Sequence, residues 1–170
     1  MNTTETSFKV LLNRITTFIF DVDGVLTDGT LLVMPDGEFL RRMNIKDGYA
    51  MQLAIKKGYK IAVISGGHST GVPKRLQRLG LTEVHMGVSD KISVLEDIMV
   101  RHNIEASHIL CMGDDMPDTQ MMKRCGIAAC PKDAVSEIRA ISTYISEKVG
   151  GHGCVRDVIE QVMKAQQTWE

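Results

Sequence analysis

The chain has 170 residues, 44% apolar and 24% charged, enough to enclose one full hydrophobic core in a globular domain. Its 20 basic and 21 acidic residues leave a formal net charge of -1, which argues against a nucleic-acid footprint or a polybasic membrane surface. No apolar run approaches the roughly 20 residues of a membrane span. The polar residues 1–7 lack the apolar segment of a signal peptide, so a cytoplasmic protein is expected.

In chain order, Thr16-Thr17-Phe18-Ile19-Phe20 is a short, β-rich apolar run ending at an acidic turn, which predicts a buried strand. The turn is Asp21-Val22-Asp23-Gly24-Val25-Leu26-Thr27. Residues 29–34 and 38–43, separated by Pro35-Asp36-Gly37, predict a β-hairpin whose tip projects over the acidic turn as a flap. A helix is predicted over 48–57, with Tyr49 and Leu53 on its apolar stripe. A strand at 60–64 ends in Ser65-Gly66-Gly67, followed by a helix over 70–79 and a weaker strand at 83–87.

The second half repeats the pattern. A helix over 91–102 precedes a strand at 108–112 that ends in Gly113-Asp114-Asp115. A helix over 116–124, a strand at 126–130 ending at Pro131, and helices over 134–141 and 155–165 complete the chain. Short strands alternating with helices predict an α/β fold, a doubly wound Rossmann-like parallel sheet covered on both faces. One domain over 1–170 is expected, without repeats or linkers. Cys111, Cys125, Cys130 and Cys154 show no CxxC pair and read as reduced thiols rather than zinc ligands.

Ligands of such sheets bind beyond the carboxyl ends of the strands, where all three polar clusters fall. Asp21 and Asp23 flank one residue there, and two carboxylates so close need a cation or a shared proton. Magnesium, a hard ion that takes oxygen ligands, suits them. Asp114 and Asp115 supply further carboxylates, with Asp118 one turn later. Lys91 opens a helix between these loops and offers a positive charge. The Ser65 hydroxyl and the backbone N–H groups of Gly66 and Gly67 suit phosphate oxygens. Each cluster alone is a common turn or cap device; their order and shared strand-end placement point to one site.

Those segments, Asp21 to Gly29, Ser65-Gly66, Lys91 and Gly113-Asp114-Asp115-Met116-Pro117-Asp118, resemble the four ordered motifs of the haloacid dehalogenase-like phosphatases over nearly the whole chain. The resemblance implies a magnesium-dependent phosphomonoesterase in which Asp21 attacks phosphorus to form an aspartyl-phosphate. Asp23 would protonate the leaving alkoxide and later activate water. Ser65, Gly66 and Lys91 would bind the phosphoryl group. Asp21, the Asp23 backbone carbonyl and Asp114 would hold the metal, with Asp115 and Asp118 supporting it or positioning Lys91.

The gaps between motifs leave no space for a cap domain, so an open site, or one closed by a neighbouring subunit, is expected. Thr27-Asp28-Gly29, Lys46-Asp47-Gly48-Tyr49 and Gly150-Gly151-His152-Gly153-Cys154-Val155-Arg156-Asp157 resemble the 3-deoxy-D-manno-octulosonate 8-phosphate phosphatases. This implies a homotetramer acting on a phosphorylated keto-sugar acid, with C-terminal tails closing neighbouring sites. Relatives acting on 2-keto-3-deoxynononic acid 9-phosphate, or N-acylneuraminate 9-phosphate, share most of these motifs. The glycine-rich loop with Arg156 reads either as a carboxylate site or as a flexible loop. Two departures stand out: Gly67 replaces a usual arginine, and Lys46 keeps a charge without the guanidinium fork. A receiver-like phospho-signalling domain is the rival class, but its acceptor Asp at the end of the third strand has no counterpart here.

Overall fold

The computed structural model describes residues 8–170, so the expectation about residues 1–7 falls outside it. Helix α1 (Phe8–Leu12) leads into β1 (Thr17–Phe20), followed by the hairpin strands β2 (Leu32–Val33) and β3 (Phe39–Leu40). Then come α2 (Ile45–Lys56), β4 (Lys60–Ile64), α3 (Gly71–Arg78), β5 (Glu83–His85), α4 (Lys91–His102) and β6 (Ile109–Met112). The chain continues through α5 (Thr119–Arg124), β7 (Ile127–Cys130), α6 (Ser136–Ile141), β8 (Tyr144–Ile145) and α7 (Cys154–Ala165).

Six strands form a parallel sheet in the order β5-β4-β1-β6-β7-β8. The α/β doubly wound architecture is as expected, and no cap domain occurs among the described residues. β1 is central, and its four residues are buried on both faces, which explains its unbroken apolar sequence. Phe18 and Phe20 pack into a core with Met51, Leu76, Val158 and Val162, beneath α2, α3 and α7. Ile19, one residue out of phase, joins Leu95, Ile98, Met121 and Ile138 on the other face, beneath α4, α5 and α6. No helix among the described residues is long and apolar enough to cross a membrane.

Several boundaries move for identifiable reasons. α2 starts at Ile45 because the Asn44 side chain accepts from the Lys46 N–H at 2.8 Å. Its buried face is Asp47, Gly48, Ala50, Met51 and Ala54, and Tyr49 is exposed. Small residues there let α2 lie close to its neighbours: a Cβ on Gly48 would meet the Arg75 guanidinium at 2.8 Å. α5 starts only at Thr119, because Met116–Asp118 forms a tighter turn with Pro117 near its start.

α1 and β8 were not expected. β8 has two residues and exists through its register with β7, Ala129 opposite Tyr144, and through the Tyr144 hydroxyl donating to Asp157 on α7 at 2.8 Å. The hairpin is present but only two pairs long, Leu32 with Leu40 and Val33 with Phe39, and all four side chains are exposed.

Candidate active site

The sheet register brings the motifs together. Phe20 lies between Val63 of β4 and Met112 of β6, so the chain leaves all three strands at one level. Asp21 follows β1, Ser65 follows β4, and Gly113 and Asp114 follow β6. The Asp21 N–H donates to the Met112 carbonyl at 3.2 Å, extending the ladder by one residue.

Beyond Asp21 the backbone turns tightly through Gly24, whose φ of +92° favours glycine. A Cβ there would also fall 1.9 Å from Asp114 Oδ2, so Gly24 is required both by its backbone and by the neighbouring carboxylate. Buried Thr27 closes the loop: its hydroxyl accepts from Gly24 N–H at 3.3 Å and donates to the Val22 carbonyl at 3.4 Å. The glycine-rich loop of residues 150–153 braces the same turn from behind. Gly151 N–H donates to the Val25 carbonyl at 2.9 Å, and a Cβ on Gly150 would sit 2.0 Å from the Gly24 oxygen. Asp133 Oδ1 accepts from Gly150 N–H at 2.9 Å, and Asn44 Nδ2 donates to the Gly151 carbonyl at 3.2 Å. Glycines here give backbone-to-backbone proximity.

Lys91, 7% exposed at the start of α4, lies between two carboxylates: Nζ is 2.7 Å from Asp118 Oδ1 and 3.1 Å from Asp21 Oδ1. Burial works against the ammonium, but Asp21 and Asp118 outweigh it and raise its pKa. Asp118 Oδ2 accepts from the Asp114 and Asp115 N–H groups at 3.0 and 3.4 Å. Both Asp118 oxygens are therefore engaged in fixing Lys91 and the turn after β6. Asp115 accepts from Met116 N–H at 2.7 Å in a reciprocal cap with Asp118, so its side chain is committed to that turn.

Asp21 and Asp114 keep unused acceptor capacity. Asp114 Oδ1 is buried without a hydrogen-bond partner, a costly arrangement for a carboxylate. Burial, then the charges of Asp21, Asp118 and Asp115, push the Asp114 pKa up to about 8. Burial and Asp118 likewise push Asp21 to about 6. Ligand atoms of Asp21, Asp114 and Asp118 lie within 4.8 Å of one another. Oxygen donors with excess negative charge and an orphaned buried oxygen fit a hard divalent cation.

Buried Ser65 follows β4, its Oγ accepting from Gly67 N–H at 3.2 Å. Gly66 continues the same loop. Asp23 is held by Arg41, just past β3: Nε donates to Oδ1 at 2.6 Å and Nη2 to Oδ2 at 3.1 Å. Nothing local in the sequence marks Arg41 beyond its place in the predicted flap and the glycine at position 67.

Lys46 and Arg156 lie together but apart from the acidic cluster. They share an open groove of about 1130 Å³ with Met43, His152 and Glu160, and Asp21, Asp23, Asp114, Asp115 and Asp118 do not line it. Arg156 Nε is 3.2 Å from Glu160 Oε2, and its guanidinium stacks over Trp169, 5.3 Å from the ring centre. Its backbone N–H donates to buried Asp47 of α2 at 2.8 Å, tying α2 to the start of α7.

A model of the haloacid dehalogenase-like hydrolases matches residues 80–158. The 3-deoxy-D-manno-octulosonate 8-phosphate phosphatase of Escherichia coli is 32% identical over 148 residues, covering 87% of this chain and 79% of that protein. A crystal structure of the Moraxella catarrhalis enzyme of that name, in complex with magnesium, phosphate and KDO, superposes with a TM-score of 0.90 at 33% identity, covering 94% of this chain and 91% of the other. The cobalt-bound Haemophilus influenzae enzyme superposes with a TM-score of 0.89 at 28% identity, covering 92% of each chain.

Proposed function

The chain belongs to the haloacid dehalogenase-like phosphatases, and on that premise we propose that it hydrolyses 3-deoxy-D-manno-octulosonate 8-phosphate to the free sugar acid and phosphate. The observation that carries the chemistry is Lys91 bridging Asp21 and Asp118 beside the orphaned oxygen of Asp114. The substrate reading rests on the similarity to the octulosonate enzymes.

In this reading Asp21 is the nucleophile. Its carboxylate sits at the end of a rigid central strand, with Val22 N–H and Lys91 holding one oxygen. Lys91 and the Ser65 hydroxyl bind the phosphoryl oxygens and orient phosphorus for attack. Asp21, the Asp23 carbonyl and Asp114 would hold magnesium, which when bound neutralises charge between the anionic nucleophile and the phosphate. Asp23 gives a proton to the departing alkoxide and then takes one from the water that cleaves the aspartyl-phosphate. Asp118 keeps Lys91 in place, and Asp115 holds the turn that carries Asp114.

The chain acts as one domain without a cap. Exposed Leu32, Val33, Phe39 and Leu40 on the hairpin support a homotetramer in which neighbouring subunits cover the open site. The free, mostly buried cysteines fit a cytoplasmic enzyme. The function is tested by phosphate release from eight-carbon and nine-carbon keto-sugar acid phosphates, with and without magnesium, and with Asp21→Asn as control. Higher kcat/KM for the eight-carbon substrate supports the proposal, and the reverse order assigns the nine-carbon substrate. Equal release by Asp21→Asn would remove Asp21 as nucleophile.

A further inference from the structure

Arg41 makes more contacts in the site than its place on a two-residue strand's flank would suggest. Besides its fork onto Asp23, Nη1 donates to the Phe39 and His68 carbonyls, each at 3.1 Å. One guanidinium thus joins the hairpin, the turn after β1 and the loop after β4. Its side chain is 3% exposed, whereas that of Asp23 is 31% exposed. The guanidinium is covered by its own partners, and the carboxylate is the more accessible of the two.

Gly67 is what makes room for this pair. A Cβ there would lie 2.7 Å from Asp23 Oδ2 and 2.8 Å from Arg41 Nη2. The Gly67 backbone is not in the left-handed region, so only space excludes a side chain. The position where an arginine was expected is left bare, and an arginine from the hairpin reaches the same spot.

We propose that Arg41 is a positioning residue for the proton-transfer step: its fork fixes the Asp23 carboxylate toward the leaving-group oxygen, with Gly67 as the gap that admits it. This rests on the reading of Asp23 as general acid. The fork sets both oxygens of Asp23 in one plane, which a lysine at the same place cannot do. General acid catalysis is worth roughly 10²–10⁴-fold, and only to leaving groups that need a proton.

The test compares a sugar-acid phosphate, whose alkoxide must be protonated, with p-nitrophenyl phosphate, whose leaving group needs none. Arg41→Ala is expected to lower kcat/KM, which ends at leaving-group departure and excludes the water attack both substrates share, by about tenfold or more for the sugar-acid phosphate and by less than about threefold for the aryl phosphate. Arg41→Lys should recover part of the loss. If Arg41→Ala does not fold, Arg41→Lys against wild type carries the comparison. Equal loss on both substrates overturns the proposal, since a merely structural role would slow both. Asp23→Asn separates the two levels. If it is unselective, the general-acid reading fails and the proposal with it. If it is selective and Arg41→Ala is not, the proposal alone fails.

Discussion

Asp114 is placed where its own charge is unwelcome. Burial and three neighbouring carboxylates raise its pKa from 3.8 to about 8, so folding without a cation takes up a proton. A carboxyl that is more basic folded than unfolded contributes most below pH 3.8 and loses that contribution as pH rises toward 8. Asp21, raised to about 6, acts in the same direction. The melting temperature of the metal-free protein should therefore fall between pH 5 and pH 8, and magnesium should raise it more at the upper end. Asp114→Asn should flatten that slope and abolish the magnesium shift; thermal melts in chelator and in excess magnesium check both. The carboxylates were legible because their strand-end spacing is local. Arg41 was not, since its partner lies 18 residues away and only the folded hairpin brings them together.

The elements that carry the chemistry are short and are held from outside. The turn after β1 keeps its shape through Thr27 and through the loop of residues 150–153, whose sequence looks like an ordinary flexible connection. Gly150→Ala should push on the Gly24 carbonyl, since its Cβ would sit 2.0 Å away, and shift Asp21 and Asp23 by a fraction of an ångström. A displacement on the order of 1 Å costs about 10²-fold in rate. We expect kcat to drop at least tenfold while far-ultraviolet circular dichroism stays close to wild type; unchanged kcat would show that the brace is dispensable. Elements with strong local signals, such as α4 behind its Asp90 cap, were readable end to end. β8 and α1 are too short to carry a period, and tertiary contacts such as the Tyr144–Asp157 bond and the stacking of Phe8 on Tyr144 hold them.

At the scale of the whole molecule, the hairpin is the one place among the described residues where apolar side chains face outward in a row. Leu32 and Val33 are 63% and 66% exposed, in contrast with the central strand β1, which is buried on both faces. Light scattering should return the mass of a tetramer. Leu32→Asp combined with Val33→Asp should shift it toward monomer with little change in melting temperature extrapolated to low concentration. A monomeric wild type would exclude closure by neighbours. The parallel, doubly wound sheet was foreseeable from the alternation of strands and helices, whereas nothing in that alternation gives the strand order. The outward turn of the hairpin was not foreseeable either, because its apolar residues read the same whether they turn inward or outward.

The brace behind Gly24 also sets a schedule for the chain as it is made. Every carboxylate of the site, and Lys91, has been synthesised once residue 118 is in place. The turn that aims two of them still waits for Gly151 to reach Val25 and for α7 to pack beneath β1. A chain that stops between residues 118 and 150 carries every one of those reactive groups without the backbone contact that braces their turn.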